Sequence, residues 1–323
     1  MHAIRIDHTG SPEVLDFTEV PAPSAGPGQV LIRQSAAGIN YIDVYLRTGL
    51  YAAQLPAIPG REGAGVVEAV GEGVVDLHVG DRVAYTNGAG GGYAELNAVE
   101  AREVVAVPEG VADDVACALM LQGMTAHYLV ADVFPLRNGN VALIHAAAGG
   151  VGLLLVQLAK ARGATVIATV GTDEKAALAQ AAGADHTIVY AEEDFAAATE
   201  RIVGAHGVDV AFDSVGKDTW ERSLQVLRPR GMLVVFGNAS GPVPPIDPRR
   251  LMNAGSIVFT RPTLGDFIAH RDERVSRATE LFDLVKSGKL DARIGARYPL
   301  AQAAQAHRDL EARATTGKLI LQP

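Results

Sequence analysis

Residues 141–171 read VALIHAAAGGVGLLLVQLAKARGATVIATVG, and this stretch decides the fold. The apolar run at 141–145 suits a buried parallel strand, and Gly149, Gly150 and Gly152 then let the chain turn sharply into a helix. A second apolar run follows. Strand, glycine turn, helix and strand thus succeed one another within about thirty residues, the context a dinucleotide fingerprint requires. The helix opens with free N–H groups facing outward, where a pyrophosphate can sit. A side chain at the turn would hold the phosphate off the backbone, and one at Gly152 would hold the helix off the strand. The usual first glycine of the fingerprint is Ala147 here, so the reading rests on the whole βαβ unit rather than on glycine spacing alone.

The alternation continues downstream of this unit. Helical patterns at 173–182, 192–203 and 217–227 are interleaved with strand-like runs at 186–189, 208–212, 231–236 and 256–260. This is the pattern of an α/β Rossmann domain, a doubly wound parallel sheet of about six strands that binds ligands at the carboxyl ends of its strands. Upstream, from residue 1 to about 108, Val- and Ile-rich runs at 29–33, 65–70 and 82–85 are separated by Gly and Pro clusters, which predicts a β-rich first domain. The segment at 21–28, PAPSAGPG, reads as a loop carried around a sheet edge. Helical spacing at 111–130 leads into the nucleotide domain, and GPVPPIDP at 241–248 is too proline-rich for regular structure. Beyond Pro262 the pattern predicts a long helix at 266–287, a shorter one at 301–311 and a strand at 318–321, with this tail packing back on the first domain. The division expected is 1–123 and 262–323 for one domain and 124–261 for the other.

A chain of 323 residues exceeds what a single core usually supports. The net charge of −9 argues against a phosphate-backbone partner, so nucleic acid is not expected. Cys117 is the only cysteine, which excludes an internal disulfide and a cysteine-rich zinc site and fits a cytoplasmic location. No apolar run approaches the roughly 20 residues that span a bilayer, and no signal-peptide pattern opens the sequence, so no membrane association is expected.

In an NAD-preferring fold an acidic residue about 20 positions past the glycine turn meets the ribose 2′-hydroxyl. No carboxylate stands at 169–171 here, and Lys175 follows one turn into the next helix, where a cation can meet a 2′-phosphate. NADPH is favoured. Asp173 and Glu174 keep NADH as the runner-up, although acids in a first helical turn also answer the helix dipole.

With these residues read, the chain resembles the zinc-independent quinone oxidoreductases of the medium-chain dehydrogenase/reductase superfamily, the group that includes zeta-crystallin. The likeness is carried by GINYIDVYLRTGLY at 38–51, GDRVAY at 80–85, LQGMTAHYL at 121–129, HAAAGGVGLL at 145–154 and TVGTDEKA at 169–176. DSVGKDTWERSL at 213–224, VVFGNASG at 234–241, TRP at 260–262 and LEARATTGK at 310–318 extend it nearly end to end. The resemblance implies a GroES-like β-rich catalytic domain built from both chain ends, a central Rossmann domain, and commonly a homodimer. It also implies that Lys175, Tyr190 and Arg313 surround the 2′-phosphate, that Phe236 and Asn238 lie along the cofactor, and that Arg261, Thr125 and Asn40 lie near it. The candidate cofactor-binding set is completed by Ala148, Gly149, Gly150, Val151, Gly152, Gly171, Thr172, Ser214 and Gly237.

Zinc-dependent relatives place a cysteine at the Asn40 position and a histidine at the Arg61 position, and neither ligand is present. The nine histidines lack metal spacing, and His127 and His145 read as packed or surface residues, so no metal is expected. Without a Lewis acid, reduction of an already electrophilic acceptor is better supported than oxidation of an alcohol. Asn40 and Tyr45, with Tyr51 nearby, are the catalytic candidates, able to donate hydrogen bonds to a carbonyl that gains charge, while water or a tyrosine supplies the proton. Each tyrosine is also readable as a packing residue of a loop. Arg61 stands where close relatives often carry a small residue; pairing with the adjacent Glu62 is the expected role, and a cation for an anionic substrate is the alternative. The leading function is NADPH-dependent reduction of quinones. Reduction of activated C=C bonds in enals, enones or enoyl thioesters uses the same cofactor geometry, and a low-turnover NADPH-binding protein is the reading from another class.

Overall fold

In the computed structural model, which describes residues 1–323, the run at 141–145 forms the strand Val141–Ile144, and the glycine turn leads into the helix Gly150–Ala161 and the strand Thr165–Val170. The chain divides into two units: Met1–Met124 together with Phe267–Pro323, and Thr125–Asp266. In the second unit a six-stranded, all-parallel sheet runs in the order His186–Val189, Thr165–Val170, Val141–Ile144, Val208–Asp213, Leu227–Val235, Val258–Thr260. Strand order reverses between Val141–Ile144 and Val208–Asp213, which is where an open α/β sheet opens a crevice for a ligand. The sheet is buried by apolar side chains, among them Leu143, Ile167, Ala211 and Leu233, against Phe195, Trp220 and Leu224 of its helices. Each fully buried leucine-sized side chain contributes roughly 1.5–3 kcal/mol.

Two helices of this unit begin later than their apolar patterns predict, for local polar reasons. The helix expected from residue 192 is Phe195–Val203, because the Asp194 carboxylate accepts the Ala196 and Ala197 N–H groups at 2.9 and 3.0 Å and so caps it. The helix expected from residue 217 is Trp220–Val226. Here buried Asp213 accepts from Val215 N at 2.7 Å, Gly216 N at 3.0 Å and Thr219 Oγ1 at 2.7 Å, which holds the preceding residues in a turn. The strand expected at 256–260 shortens to Val258–Thr260.

The first unit is built on the strand Gln29–Ile39, longer than the run at 29–33 that announces it. It pairs antiparallel with Glu62–Val70, Lys318–Gln322 and Leu96–Glu100, so the chain's last strand lies directly against one of its first. Lys318–Gln322 also pairs in parallel with Ile294–Pro299, a strand the sequence pattern does not announce. Arg82–Thr86 and Val104–Ala106 complete the seven-stranded sheet, and His2–Arg5 pairs with Asp16–Glu19 in a separate ribbon. A short helix, Tyr41–Thr48, follows the long strand and ends at left-handed Gly49. The helix expected at 266–287 is broken into Leu264–Phe267 and Arg271–Lys286. The carbonyls exposed at the break are met by guanidinium groups: Arg277 Nε donates to Phe267 O at 3.0 Å and Arg274 Nη2 to Ile268 O at 3.5 Å. No helix is long and apolar enough to cross a membrane.

Candidate active site

In the Thr125–Asp266 unit, the carboxyl ends of the parallel strands carry all but one of the cofactor candidates it contains. Ala148, Gly149, Gly150, Val151 and Gly152 follow Val141–Ile144; Gly171, Thr172 and Lys175 follow Thr165–Val170; Tyr190 follows His186–Val189. Ser214 follows Val208–Asp213, Phe236, Gly237 and Asn238 follow Leu227–Val235, and Arg261 follows Val258–Thr260. Thr125 is the exception, buried in the helix Met124–Tyr128. Gly152 explains why the turn tolerates no side chain: a β-carbon there would lie 2.3 Å from the Ala146 carbonyl oxygen. Thr172 caps the following helix by accepting from Lys175 N at 3.3 Å, which places the lysine in the first turn. The Tyr190 hydroxyl lies 2.8 Å from where a β-carbon on Gly171 would stand, and Tyr190 is 46% exposed. A close-approach turn at a helix N-terminus, with a lysine one strand away and an exposed tyrosine two strands away, fits a phosphorylated dinucleotide. Arg313 belongs to the other unit, where it is exposed with φ of 57°.

His145 is packed as expected. It is buried, with Nδ1 2.9 Å from Thr169 Oγ1 and Nε2 2.9 Å from Ser223 Oγ, and its ring meets Phe195 edge-on. Burial lowers its pKa and keeps the imidazole neutral. His127 is likewise buried.

The catalytic candidates all lie in the first unit. Asn40 ends the long strand and opens the helix Tyr41–Thr48, on which Tyr45 is buried; Tyr45 is therefore helical, not a loop residue. Tyr51 follows the helix, donates its N–H to Tyr45 O at 3.0 Å, and sets its ring, tilted by 60°, 5.3 Å from that of Tyr45. Asn40 is 4% exposed and sits in a lattice of charged groups. Its Nδ2 donates to Glu62 Oε1 at 2.6 Å, and its Oδ1 accepts from Lys318 Nζ and from Gln122 Nε2, both at 3.0 Å. Lys318 closes an ion pair with Glu62 and donates to Ile39 O at 3.1 Å. Leu121 N donates to Glu62 Oε2 at 2.7 Å from the π-helical turn Leu119–Gly123, whose wider backbone interrupts the α-helical ladder. Gly38 makes the approach possible, since a β-carbon there would lie 2.2 Å from Glu62 Oε1.

On the other side of Asn40, its backbone N–H donates to Asp43 Oδ2 at 2.9 Å, which also accepts from the Tyr93 hydroxyl at 3.1 Å. Burial pushes the Asp43 carboxyl up to about 6, against the pull of the Asn40 N–H and the Lys318 charge. The Tyr93 hydroxyl lies 3.1 Å from His307 Nε2, and burial, reinforced by nearby Arg47, pushes His307 down to about 3. Sequence reasoning did not find Lys318, Gln122, Asp43, Tyr93 or His307. The one local signal was a lysine heading an apolar strand.

The expected pairing of Arg61 with Glu62 is not formed. Both Glu62 oxygens are taken by Lys318, Asn40 and Leu121, while the Arg61 Nε is buried without a hydrogen-bond partner. The donor set does not fit zinc: Asn40 and Arg61 stand at the ligand positions, a lysine ammonium sits against Asn40, and no group of three or more His, Cys, Asp or Glu side chains converges anywhere.

Two domain families match the chain: an alcohol dehydrogenase GroES-like domain over residues 26–109 and a zinc-binding dehydrogenase domain over residues 150–283. A quinone oxidoreductase of Pseudomonas aeruginosa is 46% identical over 97% of each chain. A 2-haloacrylate reductase of Burkholderia sp. is 42% identical over 98% of each. The crystal structure of Escherichia coli quinone oxidoreductase complexed with NADPH superposes with a TM-score of 0.98 at 41% identity, covering 100% of both chains. Fold and site thus define a medium-chain dehydrogenase/reductase with a GroES-like domain and a Rossmann domain. Within that superfamily the chain belongs to the zinc-independent quinone oxidoreductases.

Proposed function

We infer that this chain is an NADPH:quinone oxidoreductase that works without a metal. The observation that carries the reading is the glycine-opened helix at the reversal of strand order, with Lys175 and Tyr190 one and two strands away, in a chain 46% identical to a quinone oxidoreductase. Bound NADPH supplies the hydride. The turn at Gly149–Gly152 receives the pyrophosphate, Lys175 and Tyr190 receive the 2′-phosphate, and Ser214, Phe236, Gly237, Asn238, Arg261 and Thr125 line the remainder. Asn40 donates a hydrogen bond to the acceptor carbonyl as charge develops on it, and Tyr45 and Tyr51 form the aromatic wall beside it. Steady-state oxidation of NADPH against quinones, enals and enoyl thioesters tests the reading; NADPH that binds but is not consumed by any acceptor would leave only a binding protein.

Two observations favour a second acceptor class, activated alkenes bearing a carboxylate. One is the 42% identity to a 2-haloacrylate reductase, and the other is the Arg61 guanidinium whose Nε has no partner. A variant Arg61→Ala loses turnover of 2-haloacrylate while keeping that of neutral quinones; an unchanged ratio removes Arg61 from substrate recognition. The working assembly in this reading is a cytoplasmic homodimer. Support comes from the edge strand Val258–Thr260, with Val258 46% and nearby Met252 62% exposed, and from the single unpaired Cys117. Light scattering of wild type and Val258→Lys checks the dimer, and cell fractionation checks the location.

A further inference from the structure

The Asn40 amide leaves little undecided when its hydrogen bonds are counted. A carboxylate only accepts and an ammonium only donates, so Glu62 forces the amide nitrogen toward itself and Lys318 forces the amide oxygen the other way. Lys318 spends its three donors on Ile39 O, Asn40 Oδ1 and Glu62. The Asn40 oxygen, with two lone pairs, is filled by Lys318 and Gln122, and one of its two N–H bonds is used by Glu62. What remains is a single N–H donor of fixed direction. Glu62 and Lys318 are 0% and 1% exposed, a costly way to place two charges unless their polarity is used. An uncharged pair would pack as well but would not tell the two ends of an amide apart.

We propose that Glu62 and Lys318 are positioning residues for the reduction: their ion pair orients the Asn40 amide so that one N–H, and never the oxygen, meets the carbonyl of the acceptor. The inference rests on the reading of Asn40 as the group that contacts the acceptor. It restricts the acceptor atom facing Asn40 to a hydrogen-bond acceptor, and it removes Asn40 as a source or sink of protons.

The test compares Asn40→Ala, the charge-free double variant Glu62→Gln/Lys318→Met, and the triple variant, using 1,4-benzoquinone, with NADPH fluorescence titration to count folded, competent sites. Asn40→Ala is expected to lower kcat about a hundredfold, the scale for losing one oriented donor. The double variant lowers kcat about tenfold, with the KM for NADPH within about twofold of wild type, and adds nothing further in the Asn40→Ala background. Glu62→Gln alone, which keeps one acceptor facing Asn40, lowers kcat about threefold. A double variant as fast as wild type while Asn40→Ala is slow overturns the positioning role and leaves the reading of Asn40 intact. An Asn40→Ala enzyme with full kcat overturns both. Equal losses with and without Asn40 overturn the coupling and reduce the pair to structure.

Discussion

On the proposed function, the nucleotide cradle and the Asn40 cluster solve recognition in opposite ways. The cradle works by leaving side chains out: its turn brings backbone N–H groups forward, and a β-carbon at Gly152 would collide with Ala146 O at 2.3 Å. Asn40 works by crowding side chains in, with Glu62, Lys318, Gln122 and Asp43 all within hydrogen-bond reach of one residue. In the cradle Tyr190 is 46% exposed and Lys175 half-buried, whereas Glu62 and Lys318 are sealed. Perturbing the first region should therefore change affinity while sparing the fold, and perturbing the second should threaten both fold and rate.

The largest effect belongs to Lys318→Met, which leaves the Glu62 charge buried with no counter-ion. Urea unfolding is expected to show a loss of about 3–5 kcal/mol, most of it recovered in the double variant Glu62→Gln/Lys318→Met. A loss no larger than that of an exposed ion pair would break the contrast between the two regions. Next comes the pH dependence of Asp43. Its carboxyl rises from 3.8 to about 6 on folding, so between those values the native chain holds a proton the unfolded chain has released. Stability from this group therefore falls as pH rises through that window, by about 3 kcal/mol in total. Asp43→Asn removes the dependence: relative to wild type it should gain that amount between pH ~4 and ~7, and a constant difference would show that the carboxyl is not desolvated. His307 works in the opposite sense, its contribution being lost as pH falls from 6.5 toward about 3, but it is present in both proteins and cancels from the comparison.

The same contrast explains what was legible in the sequence. The cradle is local: strand, turn, helix and strand fall within one continuous stretch, and glycine spacing with period changes suffices to place them. The Asn40 cluster joins residues 278 and 256 positions apart, so no window of sequence contains it. Arg61 and Glu62 looked like partners because they are adjacent, but the glutamate is matched by a lysine from the last strand of the chain. Local propensity also failed where tertiary packing replaced it. The long strand runs on through Ala36, Ala37 and Gly38, residues with weak strand preference, because neighbours on both sides pair with them. Ile294–Pro299 alternates only between half-buried and exposed positions, too faint a signal to announce a strand.

Two smaller perturbations sharpen the cradle's side of the comparison. Gly152→Ala must push the helix Gly150–Ala161 away from Ala146, at an overpacking cost of about 1–3 kcal/mol. Because that helix is proposed to present the phosphate-binding N–H groups, its displacement should also weaken NADPH binding, seen by fluorescence titration, with kcat at saturating NADPH little changed. A large fall in kcat with affinity intact would place the turn in catalysis instead.

Lys175→Ala should have the smallest effect and the most specific one. The lysine stands in the first turn of the helix Asp173–Ala181 and is half-buried, so its attraction for a 2′-phosphate is screened by water and salt. An interaction of that kind contributes about 1 kcal/mol, which is roughly a fivefold loss in the preference for NADPH over NADH, with NADH binding itself unchanged. At about 0.1 M ionic strength the screening length is near 10 Å, so added salt should erode the wild-type preference and leave the variant's nearly constant. The buried Glu62–Lys318 pair should show no such salt dependence in its stability contribution. A preference that survives both the substitution and the salt would move discrimination of the 2′-phosphate away from Lys175, toward Tyr190.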